Sequence, residues 1–380
     1  MELSALRANG RRTGAGWWPI PGGMMSGHDV VAEALRHERD LPRIEEELND
    51  DNAVVVRKIA PGRAQYRTEA VVGAEPGSLP QLEAESRSHL EEIVPAGRGA
   101  VQKLLRDGAD ADVDADECAA LEAIVLLMAR PAILVQDGHF FPAPQPWTQE
   151  LEERRATIED VLPRVGRIEV DGHPAIDWVG TGWLAAEDVV MTNRHVAAEF
   201  ARNDGGVWGF VPGMAGRVDY NEELSASQPR ELQVTEIIGV HEKVDLALLR
   251  CTSNGAGGAP RMRPLPIARD PGVRGGTKVY AVGYPAADSR RNDPEEMQRI
   301  FAGIYNVKRL QPGEVRSVTG TITHDCSTLG GNSGSCLLDL ETSTVIGLHF
   351  GGRYLQGNQA VPLWQLADDQ LLLQAGVEFS

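Results

Sequence analysis

Three residues in the second half of the chain have the types and spacing that nucleophilic catalysis needs. They are His195, Asp245 and Ser333, in that order, 50 and then 88 residues apart. A serine hydroxyl is a weak nucleophile at neutral pH. It gains strength when an imidazole takes its proton and a carboxylate fixes the tautomer of that imidazole and steadies its charge. Ser333 sits in Leu329-Gly330-Gly331-Asn332-Ser333-Gly334-Ser335, where the glycines open backbone angles closed to other residues. His195 lies in Met191-Thr192-Asn193-Arg194-His195-Val196-Ala197, after a β-rich run, and Asp245 in Val244-Asp245-Leu246-Ala247-Leu248-Leu249. Asp219 is the nearby substitute for the carboxylate, but Arg217-Val218-Asp219-Tyr220 lacks the apolar strand that follows Asp245.

Order and flanks distinguish between serine-enzyme architectures. An α/β-hydrolase would place its nucleophile in a Gly-x-Ser-x-Gly elbow and its histidine last. Here Ser335 stands two residues after Ser333, and the histidine comes first. From about residue 165 to residue 365 the chain resembles the trypsin-like (chymotrypsin-fold) serine peptidases of the bacterial type. Gly180-Thr181-Gly182-Trp183-Leu184 is similar to the strand before their histidine, Thr192-Asn193-Arg194-His195-Val196 to their histidine motif, and Gly331-Asn332-Ser333-Gly334-Ser335 to their serine motif. The resemblance implies that Ser333 is the nucleophile, His195 the general base and then acid, and Asp245 the orienting carboxylate. It assigns the oxyanion hole to the backbone N–H groups of Gly331 and Ser333.

The resemblance also bears on substrate choice. Ser327 stands six residues before the nucleophile, where cleavage after Arg or Lys would want an acidic residue. Ile346-Gly347-Leu348-His349-Phe350-Gly351-Gly352 resembles the substrate-binding strand of glutamyl endopeptidases, which carry a histidine there, and Thr328 matches their threonine five residues before the serine. Thr328, His349 and Gly351 are therefore the implied substrate-binding residues, with Glu or Asp before the scissile bond. An imidazole and a hydroxyl can bind a carboxylate side chain without a full buried ion pair. In those enzymes a free mature N-terminus also helps hold the acidic side chain, whereas here about 150 residues come first.

Composition narrows the remaining classes. A chain of 380 residues predicts two domains. The formal net charge of −18 opposes nonspecific binding to nucleic acid or to an anionic membrane face, and Arg290-Arg291 and Lys308-Arg309 are only short basic pairs. Residues 1–30 lack the apolar stretch of ~7–15 residues that a signal peptide needs, and no run reaches the ~18 of a membrane span. A cytoplasmic protein with no membrane or nucleic-acid partner is expected. Four scattered cysteines make neither a disulfide framework nor a Cys-x-x-Cys site. Cys326 and Cys336 read either as a brace for the nucleophile loop or as small buried hydrophobes. No cofactor and no metal are expected. His324-Asp325-Cys326 reads as coincidence rather than a ligand set, and the alternating Asp110, Asp112 and Asp114 fail as a calcium loop because Ala115 and Leu121 occupy its glycine and glutamate positions. His241 and His324 have no neighbour at ligand spacing.

These residues need elements to position them. Residues 25–130 read as a small, mostly helical domain, including a helix near 116–129 with Leu121, Ile124, Val125 and Met128 on one face. Val54–Val56 reads as a short strand. Residues 131–150 hold the run Phe141-Pro142-Ala143-Pro144-Gln145-Pro146-Trp147, expected to be a stiff proline-rich tether. Residues 151–380 read as the peptidase domain: a helix over 151–162, then eleven or twelve short strands divided by Gly, Pro and Asp turns, then a helix from Pro362 to Leu373. Asp288–Arg299 reads as a charged, solvated insertion. The expected fold is thus an all-β double six-stranded barrel behind a helical N-terminal domain. The expected function is that of a serine endopeptidase acting on a protein or peptide, with the N-terminal domain regulating access or recruiting a partner. A catalytically silent peptide-binding module, or an esterase or amidase using the same residues, are the alternatives.

Overall fold

The computed structural model describes residues 41–49, 94–114, 117, 120–121, 129–226, 228–252, 262–287, 301, 303–353 and 357–380. The short strand at Val54–Val56, the face of the helix near 116–129 beyond residue 121, and the Asp288–Arg299 insertion lie outside them. In the N-terminal part, Leu41–Leu48 is a helix whose Leu41, Ile44 and Leu48 are buried, and residues 94–107 are helical with Val94, Val101 and Leu104 buried. The period of three and four is that of one apolar helix face. No helix among the described residues is long and apolar enough to cross a membrane.

The segment expected as a tether carries a hairpin, β1 (Ile133–Gln136) and β2 (His139–Phe140), followed by two short helices, Thr148–Glu153 and Arg155–Val161. Two closed six-stranded antiparallel barrels come next. The first contains β3 (Val165–Asp171), β4 (Trp178–Ala186), β5 (Val189–Thr192), β8 (Ala215–Asp219), β9 (Glu231–Val240) and β10 (Ala247–Thr252), in the order β10-β5-β4-β3-β8-β9. A separate hairpin, β6 (Ala201–Asp204) and β7 (Val207–Phe210), packs against its core through Ala201, Trp208 and Phe210. The second contains β11 (Lys278–Gly283), β12 (Arg309–Val318), β13 (Ile322–His324), β14 (Cys336–Asp339), β15 (Val345–Arg353) and β16 (Gly357–Pro362), and it closes through β11 and β12. β1 adds to the other edge of β12, through Ile133↔Leu310 and Leu134↔Arg309.

Period-two patterning explains how the barrels both close and join. In β10, Ala247 and Leu249 fill the first barrel, while Leu248, with Leu246 before it, joins the cluster in the seam. In β5, Val190 points inward and Val189 and Met191 point to the seam. That seam is the largest apolar cluster: Trp183 from the first barrel meets Tyr280, Val282, Leu310 and Leu348 from the second, and Ile133, Phe140, Trp147, Leu151 and Ile158 from the preceding segment. Residues 133–161 are therefore part of the joint between the barrels.

Several boundaries differ from the sequence expectation. A turn separates β12 from β13, and β12 runs from Arg309 with Pro312 and Gly313 inside it, two residues that read as turn formers in the sequence. Pro312 pairs with Tyr280 on one edge, and on the other it falls between the stretch covered by β1 and the stretch covered by β13, so its missing N–H leaves no ladder position open there. The closing helix is a 3₁₀ turn, Leu363–Leu366, then Gln370–Gln374 capped by Asp369. Cys326 and Cys336 are free buried thiols, as the small-hydrophobe reading has it, and the brace reading is set aside. Burial pushes the Cys336 thiol up to about 12.

Candidate active site

β5 delivers the chain to a single helical turn, Arg194–Ala197, which carries His195. The loop between β9 and β10 brings Asp245 beside it. Asp245 grips residue 195 twice: Oδ2 lies 2.6 Å from the imidazole Nδ1, and Oδ1 accepts the backbone N–H at 3.0 Å. The ring and its backbone are thus held by one carboxylate. Flanking side chains fix the loop, because Asn193 Nδ2 donates to Asp245 O at 2.8 Å and Arg194 Nη2 to Val244 O at 2.6 Å. Burial raises the Asp245 pKa, but the bonds from His195 outweigh it and leave the carboxyl below its ordinary value. With an ionised Asp245 accepting from Nδ1–H, Nε2 is the ring nitrogen that carries the lone pair. Asp219 serves elsewhere, with Oδ1 accepting the N–H groups of Asn221 and Arg230 in a turn.

His241 holds the same loop from behind. Its Nδ1 accepts the N–H groups of Lys243 and Val244 at 3.1 and 3.0 Å, so its Nε2 carries the proton toward Asp369 Oδ2 at 3.2 Å. Sequence reasoning passed over this residue, since its partner is 128 positions away.

Ser333 is reached through Gly180 on β4. A Cβ built on Gly180 would lie 2.8 Å from Val196 Cγ2 and 2.9 Å from Ser333 O, so the residue after His195 and the candidate nucleophile pack on the same glycine. Thr181 then fastens the nucleophile loop. Its N–H donates to Ser333 O at 2.8 Å, and its hydroxyl donates to Gly331 O at 2.8 Å while accepting Tyr284 N–H at 3.2 Å. Gly331 and Gly334 adopt φ of +85° and +90°, which only glycine takes without strain. The N–H of Ala286 binds Gly330 O at 2.6 Å, which turns the N–H of the same peptide, that of Gly331, the opposite way. Among the described residues neither Gly331 N–H nor Ser333 N–H makes a backbone hydrogen bond.

The residues assigned to substrate binding lie on both sides of this loop. His349 on β15 is 2% exposed; its carbonyl accepts Gly334 N–H at 2.8 Å, and its Nδ1 lies 3.2 Å from Nε2 of the buried His324. Burial, then His324 and His195, hold His349 well below the usual imidazole value, and burial brings His324 down to about 4. Both rings are neutral at physiological pH. Beyond Leu348, β15 has lost its β14 partner and pairs only with β16, and the Cβ position of Gly351 faces open space. Thr328 and Ser327 lie on the loop between β13 and the nucleophile, with Ser327 O accepting Gln311 Nε2 at 2.5 Å.

Candidate metal ligands have other partners. In His324-Asp325-Cys326, the imidazole meets His349, the carboxylate meets Arg130 and Arg316, and the thiol is buried. The one group of three close carboxylates among the described residues, Glu169, Asp219 and Glu222, is already engaged by Arg217 on Glu169 at 2.6 Å and Arg167 on Glu222 at 3.0 Å.

A family model covers the region of the site. Residues 180–348 match the model of the trypsin-like peptidase domain. No curated protein matches the chain. Among solved structures, the Rv3671c protease of M. tuberculosis in an inactive serine-to-alanine mutant form is 19% identical over 63% of this chain and 98% of its own, with a TM-score of 0.39. Its inactive form is 20% identical over 60% of this chain and 96% of its own, with a TM-score of 0.38. Its active form is 20% identical over 60% and 87%, with a TM-score of 0.39. The strand Gly180–Leu184, the histidine turn and the serine loop all fall inside the span that matches the trypsin-like peptidase domain.

Proposed function

We propose that this chain is a serine endopeptidase that hydrolyses peptide bonds of a protein or peptide substrate through an acyl-enzyme on Ser333. The observation that carries the reading is the double grip of Asp245 on His195, set against the same glycine as the Ser333 loop. In the first step His195 Nε2 takes the hydroxyl proton as Ser333 Oγ attacks the substrate carbonyl. The oxyanion then draws on the N–H groups of Gly331 and Ser333, and the imidazolium gives its proton to the leaving amine. Water repeats the sequence to release the acid. The uncovered edge of β15 near Gly351 suits an extended substrate backbone, which would add as a further strand.

We assign the pocket a preference for Glu, or Asp, before the scissile bond, with Thr328 and His349 as its readers. Support comes from the histidine pair. His324 Nδ1 is buried without a partner among the described residues. Leaving a bare lone pair there is cheaper than burying an orphaned N–H. His324 Nε2–H then donates to His349 Nδ1, and His349 keeps its Nε2–H for a substrate carboxylate. The helical N-terminal region is assigned control of access or recruitment of a partner, in the cytoplasm. A peptide panel varying only the residue before the scissile bond tests the reading. Cleavage abolished by Ser333→Ala is expected, with kcat/KM for Glu lowered about 10- to 100-fold by His349→Ala. Equal turnover of Glu, Phe and Arg peptides by the native protein would remove the acidic preference and leave the peptidase reading standing.

A further inference from the structure

The segment ahead of the barrels reaches the loop that leads to Ser333, and it does so with a buried charge. Arg130 is 2% exposed. Its guanidinium meets the Asp325 carboxylate at two points, Nε to Oδ1 at 2.6 Å and Nη2 to Oδ2 at 2.9 Å. Its own carbonyl accepts the Ser327 hydroxyl at 2.6 Å. One residue from outside the barrels therefore holds both position 325 and position 327. From the second barrel, Arg316 Nε reaches Asp325 Oδ2 at 2.8 Å and Glu314 N–H donates to Oδ1 at 2.7 Å.

The segment cannot easily leave. The Trp147 indole N–H donates to Ala129 O at 2.7 Å, and the Arg130 guanidinium lies 5.7 Å from the centre of the Trp147 ring. Between these anchors β1 pairs with β12, and Arg309 Nη1 donates to Ala132 O at 2.6 Å. The hairpin turn is held too, because Gly138 N–H donates to Glu223 Oε2 at 2.7 Å and Glu223 pairs with the fully buried Lys308 at 2.8 Å.

A buried ion pair is weak evidence of net stability, since an apolar pair of similar size often does as well. The Nη2–H to Oδ2 hydrogen bond does, however, fix direction as well as distance, and the Nε–Oδ1 approach adds charge attraction beside it. We propose that Arg130 is a positioning residue for the substrate pocket, and that residues 129–147 are a built-in brace for the pocket wall at 325–328. The inference rests on the peptidase reading above and deepens it: the working peptidase unit starts upstream of residue 130, with the proline-rich run inside it.

The test uses the full-length protein with Arg130→Ala, Arg130→Lys and the paired swap Arg130→Met with Asp325→Leu. The swap removes both buried charges together, so it carries the test should Arg130→Ala fail to fold. Three quantities are measured: the rate of fluorophosphonate labelling at Ser333, kcat and KM on the peptide panel, and the urea midpoint. In folded variants labelling should stay within about threefold of the native rate, because the small probe does not use the pocket. KM for the preferred peptide should rise about tenfold or more and the preference among peptides should flatten, with Arg130→Lys in between. A folded swap variant with native KM and native preference overturns the role of Arg130 alone. A native protein that neither labels nor cleaves overturns the peptidase reading, and this inference with it.

Discussion

Thr181 ties the first barrel to the carbonyl of Ser333, its N–H donating at 2.8 Å while its hydroxyl binds Gly331 O at the same distance. A single buried threonine thus sets the loop on either side of Asn332, and with it the direction of the two N–H groups assigned to the oxyanion. Thr181→Val keeps the shape and removes the hydroxyl. The Gly331 carbonyl and the Tyr284 N–H then lose a partner in a dry site, at a cost of about 1–3 kcal/mol. We expect kcat to fall about tenfold or more with KM little changed, and Thr181→Ser to restore most of it. Equal loss in kcat for the Val and Ser variants would show that packing, not the hydroxyl, matters here.

Asp245→Asn should leave the fold intact and lower kcat by about 10⁴-fold, because an amide in place of the carboxylate favours the wrong imidazole tautomer. Steady-state kinetics on one peptide check this. A loss below about tenfold would mean that the pair at 2.6 Å does not orient the base.

His241 gives the loop before Asp245 its shape by accepting two N–H groups at one nitrogen. His241→Ala strands both donors and should cost about 1–3 kcal/mol in stability, while His241→Asn, whose side-chain oxygen can accept a local N–H, should recover part of it. Urea unfolding of the two variants beside the native protein reads the difference. The same ranking should appear in the labelling rate at Ser333.

Acid should unfold the protein in two stages. His324 falls to about 4 when folded, against about 6.5 when unfolded, so between these values the unfolded chain binds a proton that the folded one refuses. Stability therefore declines as pH drops from about 6.5 to about 4, and His349 acts in the same sense. Burial alone would raise Asp325, but Arg130 and Arg316 more than offset it and hold the carboxyl at about 2. Its contribution is full above about 4 and is lost as pH falls toward about 2. Unfolding free energies across pH 7 to 3 should show a shallower upper stage in His324→Gln and a shallower lower stage in Asp325→Asn. Native slopes in both variants would contradict the assignment.

The readable part of the chemistry was local. The His195 turn, the Asp245 loop and the Ser333 loop each carry their meaning in five or six adjacent residues, and short apolar runs divided by Gly, Pro and Asp turns announced the β-rich second half. What stayed hidden depends on pairing across distance. β8 is short and follows a glycine turn, β12 hides its start behind Pro312 and Gly313, and the run around Pro142–Pro146 looks like a linker until β1 is seen to add to β12. Arg130, His241 and His324 have no local signature either. Their partners lie 195, 128 and 25 residues away, and only folding brings these together.

The central claim is that the imidazole of His195 activates the hydroxyl of Ser333. Incubating the full-length protein with a fluorophosphonate and mapping the adduct by mass spectrometry tests it most directly. One adduct is expected, on Ser333, formed at least about 100-fold more slowly in His195→Ala and absent in Ser333→Ala. A folded native protein in which Ser333 stays unmodified, or reacts no faster than in His195→Ala, would contradict it.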